Sequence, residues 1–195
     1  MFYIVALGNP GEQYVRTRHN VGWQALDLAL QAWGMPSVVI DKAVQGQVTE
    51  GSVGEVFVRV LYPSTFMNHS GRAVAKFVPR SALTALIVVH DDIDLPLGTV
   101  KVAKGRGAGG NNGVASIIAA LGSKDFVRVR IGIAPKSMLT GAVRRPAGGG
   151  PLERFVLQPF GLLERPQLPA VYEKVRAALE LIMCEGVEAA MNQCN

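Results

Sequence analysis

Ala85-Leu86-Ile87-Val88-Val89-His90-Asp91-Asp92-Ile93-Asp94-Leu95-Pro96 is the stretch on which the reading of this chain turns. Its first half, 85–90, is almost continuously apolar, the pattern of a strand buried on both faces. Such strands belong to parallel sheets covered by helices. Its second half places three carboxylates within four residues at the end of that strand. Carboxylates crowded in this way must be solvated, paired with cations or bound to a metal. Open α/β sheets take ligands beyond the carboxyl ends of their strands, so one segment points to both the fold and the site.

The flanking sequence supports the same architecture. Residues 2–8 form a second β-branched and aromatic run, ended by Gly8 and the tight turn Asn9-Pro10-Gly11. Thr17 or Asn20 can cap a helix that runs to about Trp33 and stops at Gly34. Strands are predicted at 44–50 and 54–61, with Gly51-Ser52-Val53-Gly54 as a hairpin turn. A helix over 70–79, a strand over 99–104, a helix over 112–121 and a strand over 126–133 follow. A last helix, 161–183, would place Leu162, Leu163, Leu168, Val171, Val175, Leu179 and Ile182 in the core. No repeat or linker breaks the 195 residues, a length that can bury a core without covalent staples. The prediction from the residues is a single compact α/β domain. A Gly/Pro/Arg-rich segment at about 136–151 reads as a mobile loop.

No apolar run approaches the ~20 residues that span a bilayer. The N-terminal run lacks the basic start of a signal peptide. Cys184 and Cys194 have no metal-type spacing and suggest free thiols in a reducing compartment, so a cytoplasmic location is expected. The net charge is +5, and its distribution says more than its size. Between Lys101 and Arg154 there are ten basic residues against only Asp125 and Glu153. A basic surface without an amphipathic helix points to a nucleic acid before a membrane, although charge alone also suits a solubilising face.

Among the three histidines, His19 stands at a helix start behind the turn-rich loop, where an imidazole would be held in a fixed orientation. Imidazole is the side chain best suited to proton transfer near neutral pH. Taken alone, His19 could equally be a cap or fill a surface notch. Asp91, at a strand end, could reach it from another loop and fix its tautomer, as carboxylates do in hydrolytic triads. Met67 and Asn68 lie in a loop between a strand and a helix, where a core plug and an N-cap are the plainer readings.

Gly105-Arg106-Gly107-Ala108-Gly109-Gly110 matches G-x-G-x-x-G, yet the strand that follows it ends in Ala134-Pro135-Lys136 without the acid a dinucleotide ribose requires. A dinucleotide cofactor is therefore rejected, and these glycines are expected to let backbone approach a substrate. There is no G-x-S-x-G nucleophile elbow. His90, Asp91, Asp92 and Asp94 lack the spacing of a metal hydrolase.

Five blocks then occur in order: Gly8-Asn9-Pro10-Gly11 with Tyr14, Thr17-Arg18-His19-Asn20-Val21-Gly22, Phe66-Met67-Asn68-His69-Ser70-Gly71, His90-Asp91-Asp92-Ile93-Asp94-Leu95-Pro96 and Gly109-Gly110-Asn111-Asn112-Gly113. Together they resemble the bacterial-type peptidyl-tRNA hydrolases over residues 2 to about 134. The resemblance implies a single α/β domain with a twisted mixed β-sheet flanked by helices, and hydrolysis of the ester between a peptide and the 3′ ribose of tRNA. It makes His19 the general base on water and Asp91 the carboxylate that orients it. It assigns substrate binding to Asn9, Tyr14, Met67, Asn68 and Asn112. It further implies no metal or other cofactor, a monomer, and recognition of the acceptor stem and 3′ end of peptidyl-tRNA. Two positions depart from the family pattern. Asn111 replaces a common histidine, and Ala103 stands where a lysine pairs with the arginine matching Arg130 to hold a tRNA phosphate. Lys101, Lys104 or the basic segment 136–151 would have to supply that charge, although Lys104, as the strand neighbour of Ala103, points to the opposite face.

Overall fold

The apolar runs near residues 2–6 and 86–89 become neighbouring parallel strands in the computed structural model of the chain, which describes residues 1–136, 143 and 145–195. Seven strands form one mixed sheet: β1 (Phe2–Ala6), β2 (Val39–Asp41), β3 (Gly46–Val53), β4 (Val56–Pro63), β5 (Leu86–Pro96), β6 (Val100–Lys104) and β7 (Val127–Ala134). Their order is β2-β3-β4-β1-β5-β7-β6. The inner strands β4, β1, β5 and β7 are parallel, whereas β2, β3 and β6 are attached antiparallel. The sheet is flanked by α1 (Val21–Ala32), α2 (Ser70–Phe77), α3 (Asn112–Leu121), α4 (Gly150–Val156), α5 (Leu168–Cys184) and α6 (Val187–Cys194).

Strand alternation divides the core in two. Ile4, Ala6, Ile87 and Val89 pack with residues of α1 and α5, whereas Tyr3, Val5, Leu86 and Val88 pack with α2 and α3. Both faces of β1 and β5 are therefore covered, which is why these strands read as unbroken apolar runs. Because β1, β4 and β5 run the same way, their carboxyl ends lie together. The loop after β1, the loop after β4 and the tail of β5 meet at one edge.

Several boundaries differ from the sequence-based expectation. β5 does not stop at His90: Asp91 and Asp92 keep the ladder against Ile131 and Gly132, and an irregularity precedes Pro96 opposite Ala134. The hairpin turn lies at Gly54 and Glu55, not 51–54, because the alternation continues to the closing pair Val53 and Val56. Gly54 takes the positive φ of 58° that this tight turn needs. β2 is only three residues, two exposed and one half-buried, and carries no pattern of its own. The last long helix begins at Leu168, with Pro169 in its first turn, where proline is tolerated. Leu162 and Leu163 precede it and are 80% and 87% exposed, so neither belongs to the core. The predicted loop at 136–151 falls partly outside the described residues, and its far end opens α4.

Candidate active site

The loop after β1 is built by two asparagines. Asn20, fully buried, does not cap α1 as expected. Its Oδ1 instead accepts from the Asn9 N–H at 2.8 Å, and its Nδ2 donates to the Asn9 carbonyl at 2.9 Å. Thr17 is not a side-chain cap either, since its hydroxyl donates to the Tyr14 carbonyl at 2.8 Å. The Asn9 side chain then reaches the next loop, accepting from the Met67 N–H at 2.8 Å. Gly22 lets α1 start directly against the sheet, because a Cβ there would lie 2.8 Å from the Val89 carbonyl oxygen. His19 follows from this geometry: it occupies the short 3-10 turn Arg18–Asn20 and is only 9% exposed.

His19 meets Asp91 as predicted, with Nδ1 2.9 Å from Oδ2. Burial alone would lower the imidazole pKa, but the charge of Asp91 and, to a lesser degree, its hydrogen bond outweigh burial and raise it above the ordinary 6.5. The adjoining carboxylates do not converge on a common point. Asp92 Oδ2 accepts from Arg130 Nε at 2.7 Å, and Asp94 Oδ1 accepts from Arg145 Nη1 at 2.6 Å. His90 is buried with Nδ1 2.7 Å from the Asp91 carbonyl oxygen. Each acid of the cluster is thus matched to its own basic partner.

The pair lies in a cleft of about 770 Å³. Asn9, Tyr14, Met67, Asn68 and Asn112 all line it, so every residue expected to touch the peptide faces one cavity with His19 and Asp91. Met67 is also core: it is 4% exposed and lies so close to Gly113 that any side chain there would collide with its sulfur. Tyr14 and Phe66 meet edge to face, their ring centres 6.4 Å apart, at the cleft wall. Asn68 and Asn112 are exposed and project their amides from a 3-10 turn and from the first residue of α3. Of the glycine-rich run, Gly109 and Gly110 line the cleft, both at positive φ.

Sequence reasoning gave no binding or positioning role to two parts of this cleft. One is Asn111, which caps α3 and also donates to Asp91 Oδ1 at 2.9 Å. The other is α4, whose Leu152 and Val156, with Leu157 just past its end, give the cleft an apolar wall. Arg18 fastens that wall: it donates to the Pro159 carbonyl at 2.8 Å, pairs with Glu164 at 2.6 Å and lies 4.3 Å from the Phe155 ring centre. Nothing in the run around 150 alone announces a helix, because it starts in glycines.

The expected phosphate contacts lie outside the cleft lining. Lys101 is directly opposite Arg130 in the β6–β7 ladder and therefore shares its face, whereas Lys104 pairs with Val127 at the far end and lies 3.8 Å from Asp125. Ala103 stands opposite Arg128, which is buried and donates to the Gly107 carbonyl at 2.9 Å.

Fold and cleft together define a class: an α/β protein with a histidine–aspartate pair at the carboxyl ends of parallel strands, surrounded by uncharged amides and bordered by basic strands. Comparison with known proteins narrows the class. The family model described as peptidyl-tRNA hydrolase matches residues 3–195, and the chain belongs to that family, whose members are hydrolases acting on the ester bond of peptidyl-tRNA. It is 39% identical over 192 residues to the peptidyl-tRNA hydrolase of Nocardia farcinica, covering 97% of this chain and 94% of the relative. Identity to the Mycobacterium marinum protein is 40% over 192 residues, covering 97% and 95%. The crystal structure of the Acinetobacter baumannii peptidyl-tRNA hydrolase has a TM-score of 0.88 at 29% identity, covering all of this chain and 94% of that one. Among the described residues no helix is long and apolar enough to cross a membrane.

Proposed function

We propose that this chain cleaves the ester between a peptide carboxyl group and the 3′ ribose of tRNA with a water activated by His19 and oriented through Asp91. The observation that carries this reading is the 2.9 Å contact between His19 Nδ1 and Asp91 inside the amide-lined cleft. With Nδ1 facing Asp91, Nε2 is the nitrogen left to take a proton from water. The hydroxide so formed adds to the ester carbonyl. Collapse of the tetrahedral intermediate expels the ribose oxygen, which recovers the proton from the imidazolium. Asp91 holds the tautomer and balances the positive charge that appears on the ring.

The developing oxyanion needs a donor, and Asn68 offers an uncharged amide at the cleft surface. Asn9 has its oxygen committed to Met67, so it presents its NH₂ group to the cleft. Asn112 stands at the start of α3, where the helix dipole favours a partial negative charge such as a peptide carbonyl. The apolar wall of Leu152, Val156 and Leu157 suits peptide side chains. Arg130 and Lys101, side by side, suit contacts to tRNA phosphates at the acceptor end. Since each acid of the 91–94 cluster already has a basic partner, the proposed route uses no metal ion.

The test is release of N-blocked aminoacyl groups from tRNA beside unblocked aminoacyl-tRNA, with and without EDTA. Cleavage of the blocked ester alone, unaffected by EDTA, is expected. His19→Ala should lower turnover by about 10²–10⁴ while leaving tRNA affinity within about twofold. Full activity in that variant removes the general-base role. Salt-sensitive tRNA binding by the wild type without any cleavage would instead mark an RNA-binding protein.

A further inference from the structure

Asn111 does more than end a loop. Its Oδ1 accepts from the Gly113 N–H at 3.0 Å and from the Val114 N–H at 3.1 Å, the geometry of an N-cap on α3. These two donors settle the orientation of the amide, because a flipped group would turn NH₂ against two N–H bonds. The NH₂ side therefore points at β5. There it donates to Asp91 Oδ1 at 2.9 Å and approaches the Asp91 carbonyl oxygen at 3.3 Å. The other carboxylate oxygen of Asp91, Oδ2, is the one on His19.

We infer that Asn111 is a positioning residue for the His19–Asp91 pair, an amide that ties the carboxylate of β5 to the helix that carries Asn112. The inference rests on the reading of His19 and Asp91 given above. Capping alone does not require asparagine, since Ser, Thr and Asp cap as well. Of these, only asparagine both accepts strongly at the helix end and carries an NH₂ group aimed the other way. With Oδ1 held by Asn111 and Oδ2 facing the imidazole, Asp91 cannot rotate about its terminal bond without breaking one contact. Asn111 is half-buried and lines the cleft, so the link forms one side of the site itself. The same amide fixes Asn112, the next residue, relative to the reacting pair. A shift of α3 would thus move peptide recognition and base orientation together.

Two substitutions separate the cap from the positioning. Asn111→Ser and Asn111→Asp both keep an acceptor at the N-cap; the first loses the reach to Asp91, and the second sets a carboxylate against it. Three measurements are made on each: thermal unfolding, turnover of N-blocked aminoacyl-tRNA across pH, and the NMR titration of the His19 ring protons. Other acids lining the cleft are Asp92 of β5 and Glu153 of α4, and neither is altered. Melting temperatures are expected to stay within a few degrees of the wild type. In Asn111→Ser, kcat should fall roughly 10- to 100-fold with KM within about twofold. The His19 titration midpoint should drop in Asn111→Ser, as Asp91 loses its fixed orientation, and rise in Asn111→Asp. A wild-type kcat and midpoint in Asn111→Ser overturn the inference, as does a loss confined to melting temperature. Because the titration is independent of turnover, shifted midpoints in a protein that cleaves no ester would retain the Asn111–Asp91–His19 link and reject the hydrolytic reading.

Discussion

Asp91, Asp92 and Asp94 show how three like charges can share one strand end. His19, Arg130 and Arg145 approach them from three different segments, so the repulsion within the run is offset by separate ion pairs. The sequence told that such a run had to be paired, solvated or metal-bound, but not which, because all three partners are distant in the chain. Asn20 was still less legible: its partners are the backbone N–H and carbonyl of Asn9, and backbone leaves no residue-type signature. His19 and Asp91 were legible because both are chemically rare at their positions. Asp91→Asn should lower kcat by about 10²-fold or more, since the ring loses its counter-charge. It should also move the acidic limb of the pH–rate profile down, because the charge of Asp91 is what raises the His19 pKa against burial. The same pair contributes to stability. Since the folded pKa of His19 lies above its ordinary 6.5, that contribution is complete below 6.5 and is lost as pH rises through the folded value. Urea midpoints of wild type and Asp91→Asn should therefore differ most in mildly acidic buffer and converge at alkaline pH. A gap that widens with pH would contradict this assignment.

α4 is the element whose placement matters most to the cleft and was least visible in the sequence. It is only Gly150–Val156, too short to hold itself, and it follows a glycine run. What positions it is tertiary: the Arg18 N–H donates to the Gln158 carbonyl at 3.0 Å, Thr17 bridges to Pro159, and the Arg18 guanidinium lies between Phe155 and Phe160. Arg18→Ala would leave Glu164 without its cation and the Pro159 carbonyl without its guanidinium donor, while the backbone bond to Gln158 remains. A loss of about 3 kcal/mol is expected, as for a buried pair broken from one side. The assay is urea unfolding combined with steady-state kinetics, and KM should rise more than kcat falls, because the cleft wall loosens while His19–Asp91 stays intact. An unchanged urea midpoint would show that solvent replaces the guanidinium without cost. Elements with their own periodicity, such as β1, β5, α3 and β7, were placed within a residue or two at most ends. Those set by pairing alone, such as β2, or by prolines, such as the start of α5, were not.

At the scale of the whole molecule, the sheet order sets the cleft of His19 and Asp91 at the carboxyl ends of the parallel inner strands, and the antiparallel outer strand β6 sets Lys101 beside Arg130. If these two hold tRNA phosphates, Arg130→Ala should weaken binding to different tRNAs about equally and reduce the slope of log affinity against log salt by roughly one contact. An unchanged slope would exclude Arg130 from the interface. Strands buried on both faces were legible from the apolar runs and the mixed sheet from the family resemblance, whereas the strand order was not, since β1 gives no sign of which strands will flank it. That central place has a consequence for synthesis. β1 takes its neighbours at Val58–Leu61 and Leu86–Val89, both made after it, so one edge stays unpaired until Leu61 and the other until Val89 has been made. At about 5–20 residues per second, roughly 4–17 s separate the strand from its second partner. During that interval a short, very apolar segment keeps an edge open, and both edges until residue 61 has emerged, so the growing chain is most exposed to wrong strand pairing at β1.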